Sequence, residues 1–262
     1  MPPTPVRGRI DLGPLRLPAG RMLLVLFLTI DAGILLAHLS GKLIGKPDSF
    51  VFDLGADRSY GELLMYIKLA WIAMLLALVA RRRRSRVLAA VAIASVVLLV
   101  EDAFLLHERV GWALEDPIAN AFPALRGHGI LAIQAGELMW LAVVGTSILV
   151  MFVVAYRRGS PEDRRAALSI ALFFGVLAVF AVGVDTIHSF FPLGSTGDLV
   201  LTLLEDGGEV VALTPPVALA FALALATSEP RVRAAPPAQT DVLVGRLPAV
   251  PDRPLVAQTP EA

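Results

Sequence analysis

Cysteine is absent from this chain. That excludes disulfides, thiolate metal ligands, iron–sulfur clusters and cysteine nucleophiles. Charge is scarce: 18% of the residues are Asp, Glu, Lys or Arg, where a soluble domain carries about one quarter. The charges cancel to a net of zero, so no overall field draws the chain toward nucleic acid or acidic partners. No Gly-x-Gly-x-x-Gly follows a strand, no phosphate-binding Gly-Lys-Ser/Thr loop is present, and no basic stripe offers itself to nucleic acid. A Gly-x-Ser-x-Gly nucleophile elbow is also missing. Residues 1–20 are rich in Pro, Gly and Arg, and the apolar run behind them has no small-residue cleavage site, so they do not read as a signal peptide.

What the chain has instead is apolar length. Hydrophobic residues make up 56% of it and are gathered into long runs. Six runs, at about 22–39, 61–80, 87–110, 130–156, 166–191 and 198–227, each suffice to cross a bilayer as a helix. The predicted fold class is therefore all-α: a polytopic integral membrane protein of six transmembrane helices. Residues 1–20 read as a flexible basic tail, 21–228 as the transmembrane domain, and the Pro- and Ala-rich 229–262 as a disordered tail. Pro215-Pro216 should kink the sixth helix, because two backbone donors are lost there.

Lys and Arg set the orientation. The N-terminal tail, 81–86, 157–165 and the C-terminal tail hold 17 of the 23 basic residues. They fall on one side of a six-span topology, which predicts a cell-membrane protein with both termini cytoplasmic. Counted from those boundaries, Glu62, Glu101, His107, Glu137, Asp185, His188 and Glu209 lie about 22–35 Å from the cytoplasmic face. They share the outer half of a hydrocarbon core about 30 Å thick. His38 and His128 fall near the same layer, and Asp31 lies deeper.

A repeat is hinted at in these helices. Each of the three inward runs carries a Gly-Glu pair, in Gly61-Glu62-Leu63, Gly136-Glu137-Leu138 and Gly208-Glu209-Val210, and each outward run carries Asp before His. Three repeated helical hairpins would produce this pattern, as in parallel-repeat transporters; chance Gly-Glu pairs are the plainer alternative.

Nine carboxylates stand in or near the outer layer: Glu62, Glu101, Asp102, Glu108, Glu137, Asp185, Glu205, Asp206 and Glu209. At about 2 kcal/mol each, unpaired charges would cost roughly 18 kcal/mol, more than a domain's whole stability. They must be protonated, paired, hydrated or bound to a cation. On a continuous third helix, Glu101 and Glu108 share a face; on the fifth, Asp185 and His188 do. Carboxylates and imidazoles on facing helices are how ferritin-like di-iron sites and catalytic zinc sites are built. The leading expectation is a divalent metal, iron or zinc, held by Glu101, His107, Glu137, Asp185, His188, Glu205 and Glu209. Asp102 and Glu108 would then be the catalytic acid/base groups. A metal-dependent enzyme of this kind would act on a lipid or small hydrophobic substrate entering from the bilayer. The alternatives are a cation- or proton-coupled transporter using the same acids, with Asp31 carrying the path inward, and a non-catalytic scaffold. Taken singly, Glu62, Glu108, His38, His128 and Asp198 read as hydrated interfacial groups. Trp71, Trp112 and Trp140 read as packing or interface anchors.

Overall fold

A computed structural model describes residues 17–125 and 129–228, and these are helical with short connections. In chain order the helices are α1 (Pro18–Ile44), α2 (Tyr60–Arg83), α3 (Arg86–Ala103), α4 (Leu106–Ala121), α5 (Gly129–Arg157), α6 (Pro161–Ala178), α7 (Asp185–His188), α8 (Thr196–Ala212) and α9 (Thr214–Ser228). A π-helical segment, Val179–Val184, joins α6 to α7. Among the described residues, five helical stretches are long and apolar enough to cross a membrane, and six if the bent pair α3–α4 counts as one.

Serines start four of the helices. Ser59, Ser85, Ser160 and Ser195 each accept the backbone N–H three residues on, which satisfies a donor the helix itself cannot. At three of these the third residue is an acid, Glu62, Asp163 or Asp198, which favours the positive end of the helix. Glu62 reaches back to the Arg58 N–H and takes the Tyr66 hydroxyl as well. Its carboxylate is accounted for as a cap.

The core sits around α2 and α9. Leu69, Ile72, Leu76 and Val79 on α2 and Leu213, Val217 and Leu219 on α9 are buried. Alanines at 90, 92 and 94 on α3, and at 218, 220, 222 and 224 on α9, keep the contacts close. The outer surface is apolar instead of polar: Met139, Val143, Leu149, Val150 and Val154 on α5 are exposed, as are Met22, Val25 and Leu26 on α1.

The boundaries differ from the sequence reading in four places. Helix α1 begins at Pro18, inside the expected tail, because proline is well placed in a first turn. The third run is not one helix: it breaks at Phe104–Leu105 and bends by 59°. Helix α4 continues through Pro117 to Ala121, where a loop was expected. The sixth run is interrupted for one residue at Leu213, ahead of Pro215-Pro216, where two donors are lost, although Leu213 keeps helical dihedrals and its N–H reaches Glu209. The first of three expected hairpins is not a packed pair, since α1 lies mainly against α9 and α8. His128 and both tails lie outside the described residues.

Candidate functional site

The break after α3 builds the first half of the site. Leu105 is held in the left-handed region at φ 50°, ψ 47°, at a cost of about 1–2 kcal/mol for a residue with a Cβ. On an unbroken helix, residues six apart point about 120° away from one another. The bend brings them together: His107 Nδ1 lies 2.9 Å from Glu101 Oε2. Glu101 is buried, and its other oxygen accepts the Trp140 indole N–H from α5 at 3.2 Å. Trp140 is thus a site residue, which its reading as an anchor missed. The bend also corrects the expected shared face of Glu101 and Glu108, which now stand on different helices.

Glycine lets α5 approach. A Cβ on Gly111 would meet Glu137 Cγ at 2.6 Å and the Ile133 carbonyl at 2.9 Å. The stem of Glu137 lies in the space a side chain would fill. Glu137 and Glu108 both interact electrostatically with His107 and with Asp185. Those two acids connect the α3–α4 half of the layer to the half built by α7 and α8.

The π-helical segment positions that second half. Phe180 within it packs on Gly208, where a Cβ would come within 2.6 Å of the ring. Such segments are widened turns, and they often occur at functional sites. Asp185 and His188 follow it directly. His188 Nδ1 lies 2.6 Å from Glu205 Oε2, and its Nε2 lies 3.0 Å from Asp198 Oδ1. Asp198 is tied down in turn by the Gly194 N–H at 2.9 Å and sits in the first turn of α8. Glu205 and Asp185 also interact directly with each other. Farther along α8, Glu209 interacts with Asp102, Asp206, Glu205 and Asp185. One oxygen of Asp102 is buried without a hydrogen-bond partner.

The expected site residues Glu101, Asp102, His107, Glu108, Glu137, Asp185, His188, Glu205 and Glu209 interact with one another in two linked groups. Asp198 and Asp206 join them, and Asp198 is more than the hydrated interfacial group it resembled. The donors with metal-ligand chemistry are His107 with Glu101, and His188 with Asp198 and Glu205. Among the described residues, however, no three His, Asp or Glu side chains form a group that could hold a metal ion. The reason at His188 is geometric. Its two carboxylates sit on opposite nitrogens of the ring, so the imidazole bridges them and the three do not face one point.

A second polar centre lies deeper. Lys68 Nζ is 2.5 Å from Asp31 Oδ1 and 2.6 Å from the Val210 carbonyl, and the Thr214 hydroxyl donates to Asp31 Oδ2 at 2.5 Å. Both charged side chains are essentially inaccessible, at 0% and 1% exposure. Asp31 stands out in the first apolar run, but the sequence reading does not pair it with Lys68. A signal existed: opposite charges lie in two apolar runs, 10 residues beyond Arg21 and 13 before Arg81, which is about 15–20 Å from the same boundary. His38, by contrast, belongs to the α1–α2 connection. Its Nδ1 accepts the Leu54 N–H at 3.0 Å, beside the Asp53 carboxylate that holds Lys42.

The model of a family described as a domain of unknown function (DUF8692) matches residues 22–225. The chain belongs to this family. The match runs from the first turns of α1 to the last turns of α9 and so takes in both polar centres. No curated protein and no solved structure matches the chain.

Proposed function

We propose that this is a multi-pass protein of the cell membrane whose carboxylate–imidazole layer takes protons from the outer face and passes them into the bundle, in proton-coupled transport. The excess of arginine at one end of the six-span topology supports a cytoplasmic location for that end. Apolar side chains cover the outside while Asp31, Lys68 and Glu101 are buried, which is the arrangement a lipid solvent favours. The ends of the helices sort as that topology requires: Arg83 joins Glu162, Asp163 and Thr227, so the ends of α2, α6 and α9 meet at one pole.

One observation carries the proton reading. Asp198, His188 and Glu205 form a continuous hydrogen-bonded series leading inward from the start of α8, and Glu205 interacts in turn with Asp185. An imidazole with an acceptor on each nitrogen can take a proton on one side and release it on the other. Acid and histidine chains of this kind mark proton relays in membranes. Glu209 extends the acids by one further turn of α8.

The test is proton movement into liposomes that hold the purified full chain and a pH-sensitive dye, driven by an imposed potential. The parent protein should acidify the lumen, and His188→Asn or Glu205→Gln should slow this at least tenfold. A parent that moves no protons, or variants that match it, would overturn the reading. Elemental analysis of the same sample distinguishes the rival. Stoichiometric iron or zinc without proton movement would support the metal-dependent enzyme acting on a lipid or small hydrophobic substrate.

A further inference from the structure

The relay as described ends in the outer half of the bundle and leaves the deeper ion pair unused. That pair is placed at a break in the very helix the relay follows. Lys68 holds the Val210 carbonyl, in the last turn of α8, while Asp31 holds the Thr214 hydroxyl, at the first residue of α9. Between them lies Leu213, and beyond them Pro215 and Pro216. The prolines cannot supply the donors that the carbonyls of Val211 and Ala212 would meet in a continuous helix. The two charges therefore grip opposite sides of a backbone joint that lacks the two proline donors, while the Leu213 N–H still reaches Glu209 and the Val217 N–H reaches Leu213, each at 3.3 Å.

The surroundings leave the ion pair few other partners. Lys68 faces Asp31, the Val210 carbonyl and, at 5.6 Å, the Phe27 ring. Asp31 faces Lys68 from α2 and Thr214 from α9. The next ionisable group along α8 is Glu209, adjacent to Val210, and along α1 it is His38, engaged with Leu54 and Asp53. In so enclosed a place, each charge is stabilised chiefly by the other, and removing one leaves its partner uncompensated.

We propose that Asp31 is the inner proton-accepting site of the bundle and Lys68 its resident counter-charge, so that protonation of Asp31 releases the α8–α9 break. A proton leaving a carboxyl of the relay forms an O–H bond on Asp31 and removes the carboxylate charge. Lys68 keeps its ammonium protons and loses its anionic partner. The grip on Val210 and Thr214 then loosens, and the joint at Leu213 opens. The inference rests on the relay reading for the source of the proton, but its test uses no flux and so fails or succeeds separately.

The absence of native cysteine makes that test direct. Leu213 is fully buried, as is Ile170 on α6. Single Leu213→Cys and Ile170→Cys reporters in the full-length protein in liposomes are exposed to a water-soluble maleimide. Asp31→Asn, which stands in for the protonated acid, should speed labelling at position 213 at least tenfold and leave position 170 protected. Thr214→Val should also speed labelling at 213, whereas Thr214→Ser, which keeps the hydroxyl, should not. Unchanged labelling at 213 in Asp31→Asn would overturn the proposal. So would an equal rise at 213 and 170, because that reports general loosening and not a joint.

Discussion

The residue that costs this fold most is Lys68, whose ammonium is fully buried among apolar helices. Desolvating an ion pair offsets much of its Coulomb attraction, yet removing one partner alone strands the other. Lys68→Met should therefore lower the unfolding free energy of the detergent-solubilised protein by about 3 kcal/mol. Asp31→Asn with Lys68→Met should cost less than the two single changes added together, since the groups share one interaction. Denaturant titration of the three variants measures both statements, and strict additivity would show that the pair is not coupled. At the same scale His188 stands apart from His38: the first bridges two acids, while the second holds a loop. The sequence separates them too, with His188 beside Asp185 as a site residue and His38 as an interfacial group.

Elements act here through their interruptions. The break at Leu105 turns His107 onto Glu101, the π-helical segment precedes Asp185 and His188, and the break at Leu213 sits between the two contacts of the buried pair. The crossing of α4 and α5 depends on glycine facing glycine: a Cβ on Gly136 would come within 3.0 Å of Gly111 Cα. Gly111→Ala should destabilise by about 1–3 kcal/mol, because the Ile133 carbonyl it would strike is helix backbone and cannot swing aside. Gly145→Ala, on the same α5 with nothing within 4 Å of the added carbon, should be neutral or stabilising by up to about 1 kcal/mol, from the better helix propensity of alanine. Thermal unfolding of the two variants side by side checks the contrast. Equal effects would mean that the close crossing does not exist. Periodicity alone could not reveal these interruptions, since an apolar run reads the same whether or not its helix turns a corner.

For the whole molecule, the polar groups sort by depth. Arginines gather at one pole, the acids and two bridging or paired histidines at the other, and the Asp31–Lys68 pair lies between. If the arginine pole is cytoplasmic, single cysteines at the two poles should differ in reactivity. Leu193→Cys, at a position 92% exposed in the connection before α8, should react with an impermeant maleimide added to intact cells. Arg84→Cys, in the turn after α2, should react only after the membrane is opened. The reverse pattern would invert the molecule and direct the proposed proton relay from the cytoplasm.

The layer of acids, the expected spans and the clustering of arginine at one end follow from composition and spacing, because bilayer thickness and helical rise convert residue number into depth. That reading already held Glu101, Glu137, Asp185, Glu205 and Glu209 as one layer. Depth is only one coordinate, and it is silent on which helix faces which. Tertiary structure decided that Trp140 would reach Glu101, that His188 would sit between Asp198 and Glu205, and that Asp31 would find Lys68. It also decided where helices would break, through a left-handed Leu105 and a widened turn at Val179–Val184. Those choices depend on contacts between residues far apart in the chain, which no local pattern encodes.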